Sequence, residues 1–146
     1  MTKVAPGLLI VTHGRLADEL EKAARRIVGD VRSLASISLD WDDDVVDARR
    51  RIEEGIARVA VDGQVLILTD MFGGTPSNVA LSLLEPGRVD IVTGVNLPML
   101  IKFANLHTED GFDETVRRIA QQGRDAIQVA SEVLEKRVGP DHTPGR

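Results

Sequence analysis

Residues 7–20 read GLLIVTHGRLADEL, and the change of texture inside that stretch decides the fold. Leu8 to Val11 is an uninterrupted apolar run of strand length, without the polar alternation of a strand that faces water on one side. Such a strand is buried on both faces. Thr12-His13-Gly14-Arg15 then breaks the run, and Leu16, Leu20, Ala23, Ala24 and Ile27 recur at helical spacing as one apolar face, closed by Gly29 in the C-cap role. A buried strand followed at once by an amphipathic helix is the repeating unit of a parallel sheet covered by helices.

The unit recurs outward from this stretch. Further strand-length runs fall at Ser33 to Leu39, Val65 to Thr69 and Val89 to Thr93, each followed by a segment with helical spacing. A second helix is predicted from about Asp43 to Ala60, with Val45, Val46, Ala48, Ile52, Ile56 and Val59 as its buried face and Asp42 to Asp44 placing negative charge at its start. Pro76 behind Thr75 starts a third, and Leu97-Pro98 starts a fourth that turns Met99, Leu100, Phe103 and Ala104 inward. Phe112, Val116, Ile119 and Ala120 mark a fifth. Ala126 to Ala130 fits a short strand, while Ile127, Ala130, Val133 and Leu134 fit a helical stripe, and both readings stand. The fold class is three-layer α/β/α with a mainly parallel sheet, in one domain over residues 1–138, followed by a disordered tail at 139–146 rich in Pro and Gly.

Composition narrows the function classes. The chain has 146 residues, enough to bury a full core without a metal or disulfide, and 42% are hydrophobic against 28% charged. There is no cysteine, which removes thiol nucleophiles, Fe–S clusters and Cys-ligated zinc together. The longest apolar runs fall far short of the ~18 residues of a membrane span, so a cytoplasmic protein is expected, touching a membrane only indirectly. A net charge of −5, no Tyr, one Trp and three Phe leave neither a basic stripe nor stacking platforms, so nucleic-acid binding is not expected.

In an open α/β sheet, ligands bind beyond the carboxyl ends of the strands, where strand order reverses. The loops at Thr12 to Arg15, Asp70 to Pro76 and Gly94 to Pro98 are the places to search. His13 leaves the end of a buried strand beside Gly14, which leaves room around the ring. Asp70 ends the third strand, and if the first and third strands are neighbours its carboxylate can accept a hydrogen bond from one ring nitrogen of His13. That bond fixes the tautomer, frees the other nitrogen as a nucleophile and stabilises positive charge on the ring. Taken singly, His13 fits a structural strand-end residue and Asp70 fits a helix-start charge. Gly73-Gly74-Thr75-Pro76-Ser77-Asn78 combines small residues with a helix start bearing hydroxyls, a cradle for a phosphoryl group's oxygens. It lacks the Lys of a P-loop and the spacing of a dinucleotide fingerprint, so no nucleotide is implied. A histidine, a carboxylate and an anion-binding helix start together suit a phosphohistidine.

VTHGRLADEL, LTDMFGGTPSNVA and TGVNLPML, in this order and spacing, resemble the EIIA component of the mannose/fructose/sorbose-type, phosphoenolpyruvate-dependent sugar phosphotransferase system (PTS). The resemblance runs from about Leu8 to about Ala130. It implies that His13 accepts a phosphoryl group from phospho-HPr and delivers it to an EIIB component, which phosphorylates the incoming sugar. It also implies that Asp70 orients His13, and that Gly73, Gly74 and Thr75 surround the phosphoryl group. Further implications are sheet order 2-1-3-4 and a homodimer exchanging an antiparallel edge strand, for which Ala126 to Ala130 is the candidate. Because the chain stops soon after Gly139, the EIIB partner is expected on a separate protein. Arg15 stands where some relatives carry a bulky apolar residue, and it fits either a phosphate contact or plain solvation.

Other readings share the fold. The chain could serve as the phosphocarrier subunit of a dihydroxyacetone kinase, although GGTPSN fits the sugar-system motif better. It could instead be a regulatory phosphoacceptor whose output is binding rather than transport. A hydrolase built on the His/Asp pair has no Ser or Cys nucleophile to support it. His107 and His142 fall away from the crevice and are read as bystanders. With only His13 and Asp70 expected to meet, no metal and no cofactor are assigned.

Overall fold

A computed structural model describes residues 5–106 and 110–138 of the protein. In chain order the elements are β1 (Gly7–His13), α1 (Leu16–Val28), β2 (Leu34–Leu39), α2 (Val45–Val59), β3 (Val65–Thr69), α3 (Thr75–Leu81), β4 (Val89–Thr93), α4 (Leu97–Ala104), α5 (Phe112–Asp125) and α6 (Ala130–Val138). Among the described residues the four strands form one all-parallel sheet in the order β2-β1-β3-β4.

The alternation of side chains along the strands divides the core in two. Leu8, Ile10, Leu66 and Leu68 point to one face, where Ala17 and Ala24 of α1, Met99, Leu100 and Phe103 of α4, and Phe112, Val116 and Ile119 of α5 cover them. Leu9, Val11, Val65 and Ile67 point to the other, under Ala48, Ile52 and Val59 of α2 and Val79 and Ala80 of α3. β1 and β3 are buried on both sides, which is why their sequences are continuous apolar runs.

The layer assignment also places the crevice. The chain leaves β1 toward the α1 layer and leaves β3, its neighbour, toward the opposite layer with α3. The loops after these two strands therefore diverge, opening a gap at their carboxyl ends.

Several expectations change. β1 extends through His13, which is thus the last strand residue rather than part of the loop. α2 begins at Val45 and its buried residues start at Ala48; Val45 and Val46 are exposed. On α1, Leu16 and Ile27 are exposed while Ala17 and Ala24 carry the buried contact. Leu16, Ile27 and Val45 lie at helix ends, where the sheet no longer runs beneath them, whereas Val46 lies on the side of α2 opposite Ala48, Ile52 and Val59. Ala126 to Ala130 is not a strand of this sheet: Ala126 closes α5 in a turn, 127–129 is a connector, and Ala130 starts α6. The expected tail at 139–146, His142 within it, and His107 lie outside the described residues. No described helix is long and apolar enough to cross a membrane.

Candidate functional site

His13 is set by its backbone before its side chain acts. Its neighbour Thr12 is fully buried, and the Thr12 hydroxyl accepts a hydrogen bond from the backbone N–H of Ala17. A strand residue thereby caps the first turn of α1, a role the local N-cap residue, Arg15, does not fill with its side chain. Between them Gly14 adopts φ +57°, in the left-handed region that glycine enters without strain. The sharp turn lets the strand end with an imidazole at the sheet's carboxyl edge while the helix starts three residues later, at Leu16.

Asp70 follows Thr69, whose strand partner across β1 is Val11. Its Oδ2 accepts two hydrogen bonds from His13, one from the backbone N–H and one from Nδ1, each 2.9 Å long. Its Oδ1 accepts the N–H of Met71 at 2.9 Å. Both carboxylate oxygens are thus engaged, and the side chains of His13 and Asp70 retain only 17% and 14% of their exposure. A carboxylate opposite Nδ1 fixes the proton there, which leaves the in-plane lone pair of the neutral ring on Nε2.

Nε2 faces the glycine loop. A Cβ built on Gly74 would stand 2.7 Å from Nε2, closer than side-chain atoms can approach, so the ring occupies space that only glycine leaves open. The loop is clasped from below. Ser77, fully buried, accepts the N–H of Gly73 at 2.8 Å and donates to the carbonyl of Gly74 at 3.2 Å. Gly74 is the N-cap residue of α3 with no side-chain cap, and its carbonyl takes the first intrahelical bond, from Asn78 N at 2.9 Å. The N–H groups of Thr75 and Ser77 precede that ladder and point out of the helix start. Thr75 is exposed.

The structure therefore brings His13, Asp70 and Gly74 into contact, with Gly73 and Thr75 flanking them. Arg15 is exposed and makes no ion pair among the described residues. Trp41 is the residue that sequence reasoning missed. It sits in the loop after β2, and its indole stacks on the imidazole of His13 with centroids 4.7 Å apart and planes inclined by 20°. Since β2 is parallel to β1 and adjacent to it, its following loop shares the same sheet edge, although no glycine or helix-start motif marks it in the sequence.

The loops after β2 and β3 each carry an exposed large apolar side chain, Trp41 at 79% and Phe72 at 69% exposure, with Asp40, Asp42 and Asp44 exposed beside Trp41. Clefts of about 590 Å³ between α5 and α6 and about 450 Å³ at the sheet's amino edge are lined by other residues. A nucleophile at the sheet's edge, beside exposed loops and outside these clefts, suits a group presented by another macromolecule better than a small substrate that must be enclosed. Among the described residues, no three His, Asp or Glu side chains converge on a point that could hold a metal.

Comparison with known proteins identifies a family. The family described as "PTS system fructose IIA component" matches residues 7–120. The PTS system fructose-specific EIIA component of Bacillus subtilis (strain 168) is 28% identical over 130 residues, covering 88% of this chain and 89% of that protein. The PTS system mannose-specific EIIAB component of Escherichia coli (strain K12) is 27% identical over 123 residues, covering 83% of this chain but 38% of that longer protein. Among solved structures, the mannose/sorbose specific IIA subunit of the phosphotransferase system from Enterococcus faecalis superposes with a TM-score of 0.77 at 29% identity, covering 86% of this chain and 95% of that one.

Proposed function

The chain belongs to the family of PTS fructose IIA components, and from that premise we propose that it is a phosphocarrier whose Nε2 of His13 accepts a phosphoryl group from phospho-HPr and passes it to an EIIB component. The lone pair of Nε2 attacks phosphorus while the bond to the donor's ring nitrogen breaks and its electron pair returns to that nitrogen. As the accepting ring becomes cationic, the Asp70 carboxylate, already bonded to Nδ1 and to the His13 backbone, stabilises the charge without moving. The backbone of Gly73 and Gly74 and the start of α3 at Thr75 receive the phosphoryl oxygens. Transfer to EIIB is the same step with the roles exchanged.

The observation that carries this reading is the orientation of one ring: Nδ1 tied to Asp70 at 2.9 Å and Nε2 directed at the uncapped glycine loop. Placement in the cytoplasm follows from the same reading, because phospho-HPr is met there. The homodimer is proposed as well, and what supports it is the exposure of Ile127, Val129 and Leu134 on the C-terminal segment. The domain is taken as residues 1–138.

The test is incubation with phosphoenolpyruvate, enzyme I and HPr, read by intact mass and by peptide mapping at neutral pH. One acid-labile phosphoryl group on His13 is expected in the wild type and none in His13→Ala, with the circular dichroism of the two proteins alike. Fully phosphorylated HPr beside an unmodified chain overturns the reading.

A further inference from the structure

Trp41 is the only tryptophan in the chain, and its side chain is almost wholly exposed except where it lies on His13. A large aromatic ring held over an imidazole at the edge of a sheet calls for an account beyond packing, since it covers none of the buried core. The stack leaves the chemistry open: the lone pair of Nε2 lies in the imidazole plane, and an indole on the ring's face does not stand between it and an approaching phosphorus.

We infer that Trp41 is a positioning residue for His13 that favours the phosphorylated ring over the free one; this rests on the phosphocarrier reading above. When Nε2 carries a phosphoryl group and Nδ1 keeps its proton, the imidazole is cationic. The negative face of the indole attracts that cation, whereas it has no such preference for the neutral ring. The stack also opposes rotation of the imidazole out of the plane that keeps Nδ1 on Asp70 and Nε2 toward Gly74. Loss of the phosphoryl group to water runs the balance backward. The water oxygen bonds to phosphorus, the P–Nε2 bond breaks with its electron pair going to Nε2, and dihydrogen phosphate leaves with both water protons. The ring returns to neutral, so the stack holds the phosphorylated state against this step too.

The experiment compares wild type, Trp41→Leu and Trp41→Phe. In the unphosphorylated proteins, the ring protons of His13 should move in the NMR spectrum when the indole is removed, because they lose its ring current, and should recover part of that shift with Phe. At equilibrium with phospho-HPr, the ratio of phosphorylated to free protein should fall roughly two- to fivefold in Trp41→Leu and be largely restored in Trp41→Phe. Hydrolysis of the phosphorylated form should quicken in the same order. Unchanged His13 resonances, or an unchanged phosphorylation ratio in a phosphorylated Trp41→Leu protein, overturns the inference while the phosphocarrier reading stands. A wild type that takes no phosphoryl group from phospho-HPr removes both. Thermal unfolding of the variants close to wild type is expected for so exposed a side chain, and a large drop would mean that Trp41 holds the fold instead.

Discussion

Helices α3 and α4 each follow a parallel strand and a glycine-containing loop, and each carries proline in its first turn, Pro76 and Pro98. At α4 the start is closed. The Asn96 side chain accepts the N–H of Met99 at 3.2 Å and donates to the carbonyl of Gly123 in α5 at 3.0 Å, and the N–H groups of Gly94 and Val95 both reach back to the carbonyl of Thr69. At α3 the start is open: the N-cap is Gly74, no side chain caps it, and the imidazole of His13 lies against it. The same local device becomes internal bracing where a side chain satisfies it. It becomes a receptive surface where glycine replaces that side chain at the point where the chain diverges from β1 and β3.

Closing the open start is the most damaging way to break this contrast. Gly74→Ala places a methyl group 2.7 Å from Nε2, so the ring must swing away, and phosphoryl acceptance from phospho-HPr should fall by about 10²-fold, the order expected for a misplacement near 1 Å. Rapid-quench transfer assays measure this, and near-normal rates in Gly74→Ala would remove Nε2 from its assigned role. Asp70→Asn is milder, because the amide oxygen can still accept from His13 but carries no charge. A charge-assisted bond is worth roughly 1.5–3 kcal/mol, and with the geometry retained transfer should slow by about tenfold, the low end of that range. Full wild-type rates would refute the orienting role.

The smallest effect sharpens the comparison from the other side. Asn96→Ala removes a cap and a tie between helices, and should cost about 1 kcal/mol of stability in denaturant unfolding while leaving phosphoryl transfer unchanged. A transfer defect there would show that α4 is coupled to the site rather than merely bracing the molecule.

Strands were the most legible part of this sequence. β3 and β4 begin and end at the expected residues: β3 is buried on both faces and apolar with abrupt polar ends, while β4 is an edge strand in which only Val89 is buried and Asp90 interrupts the apolar run. Helix faces were less so. Periodicity placed Val45 on the stripe of Ala48, Ile52 and Val59 but could not report where the sheet stops, while Val46, expected on that stripe, lies on the opposite side of the helix; both stand exposed. His13, Asp70 and Gly74 were legible because each sits at a strand end or helix start that a pattern defines. Trp41 belongs to no pattern, and its contact with His13 depends on β2 lying beside β1, a pairing that motif spacing alone does not encode.

The strand order has a consequence for how the protein is made. His13 and Asp70 lie 57 residues apart, and β1, which precedes the other three strands of the sheet in the chain, occupies the sheet's interior. At translation rates of roughly 5–20 residues per second, β1 can pair with β2 early but waits roughly another 3–11 s after His13 is made before Asp70 follows it. During that interval one edge of a fully apolar strand is unsealed, so nascent chains of intermediate length are the form of this protein most in need of a chaperone.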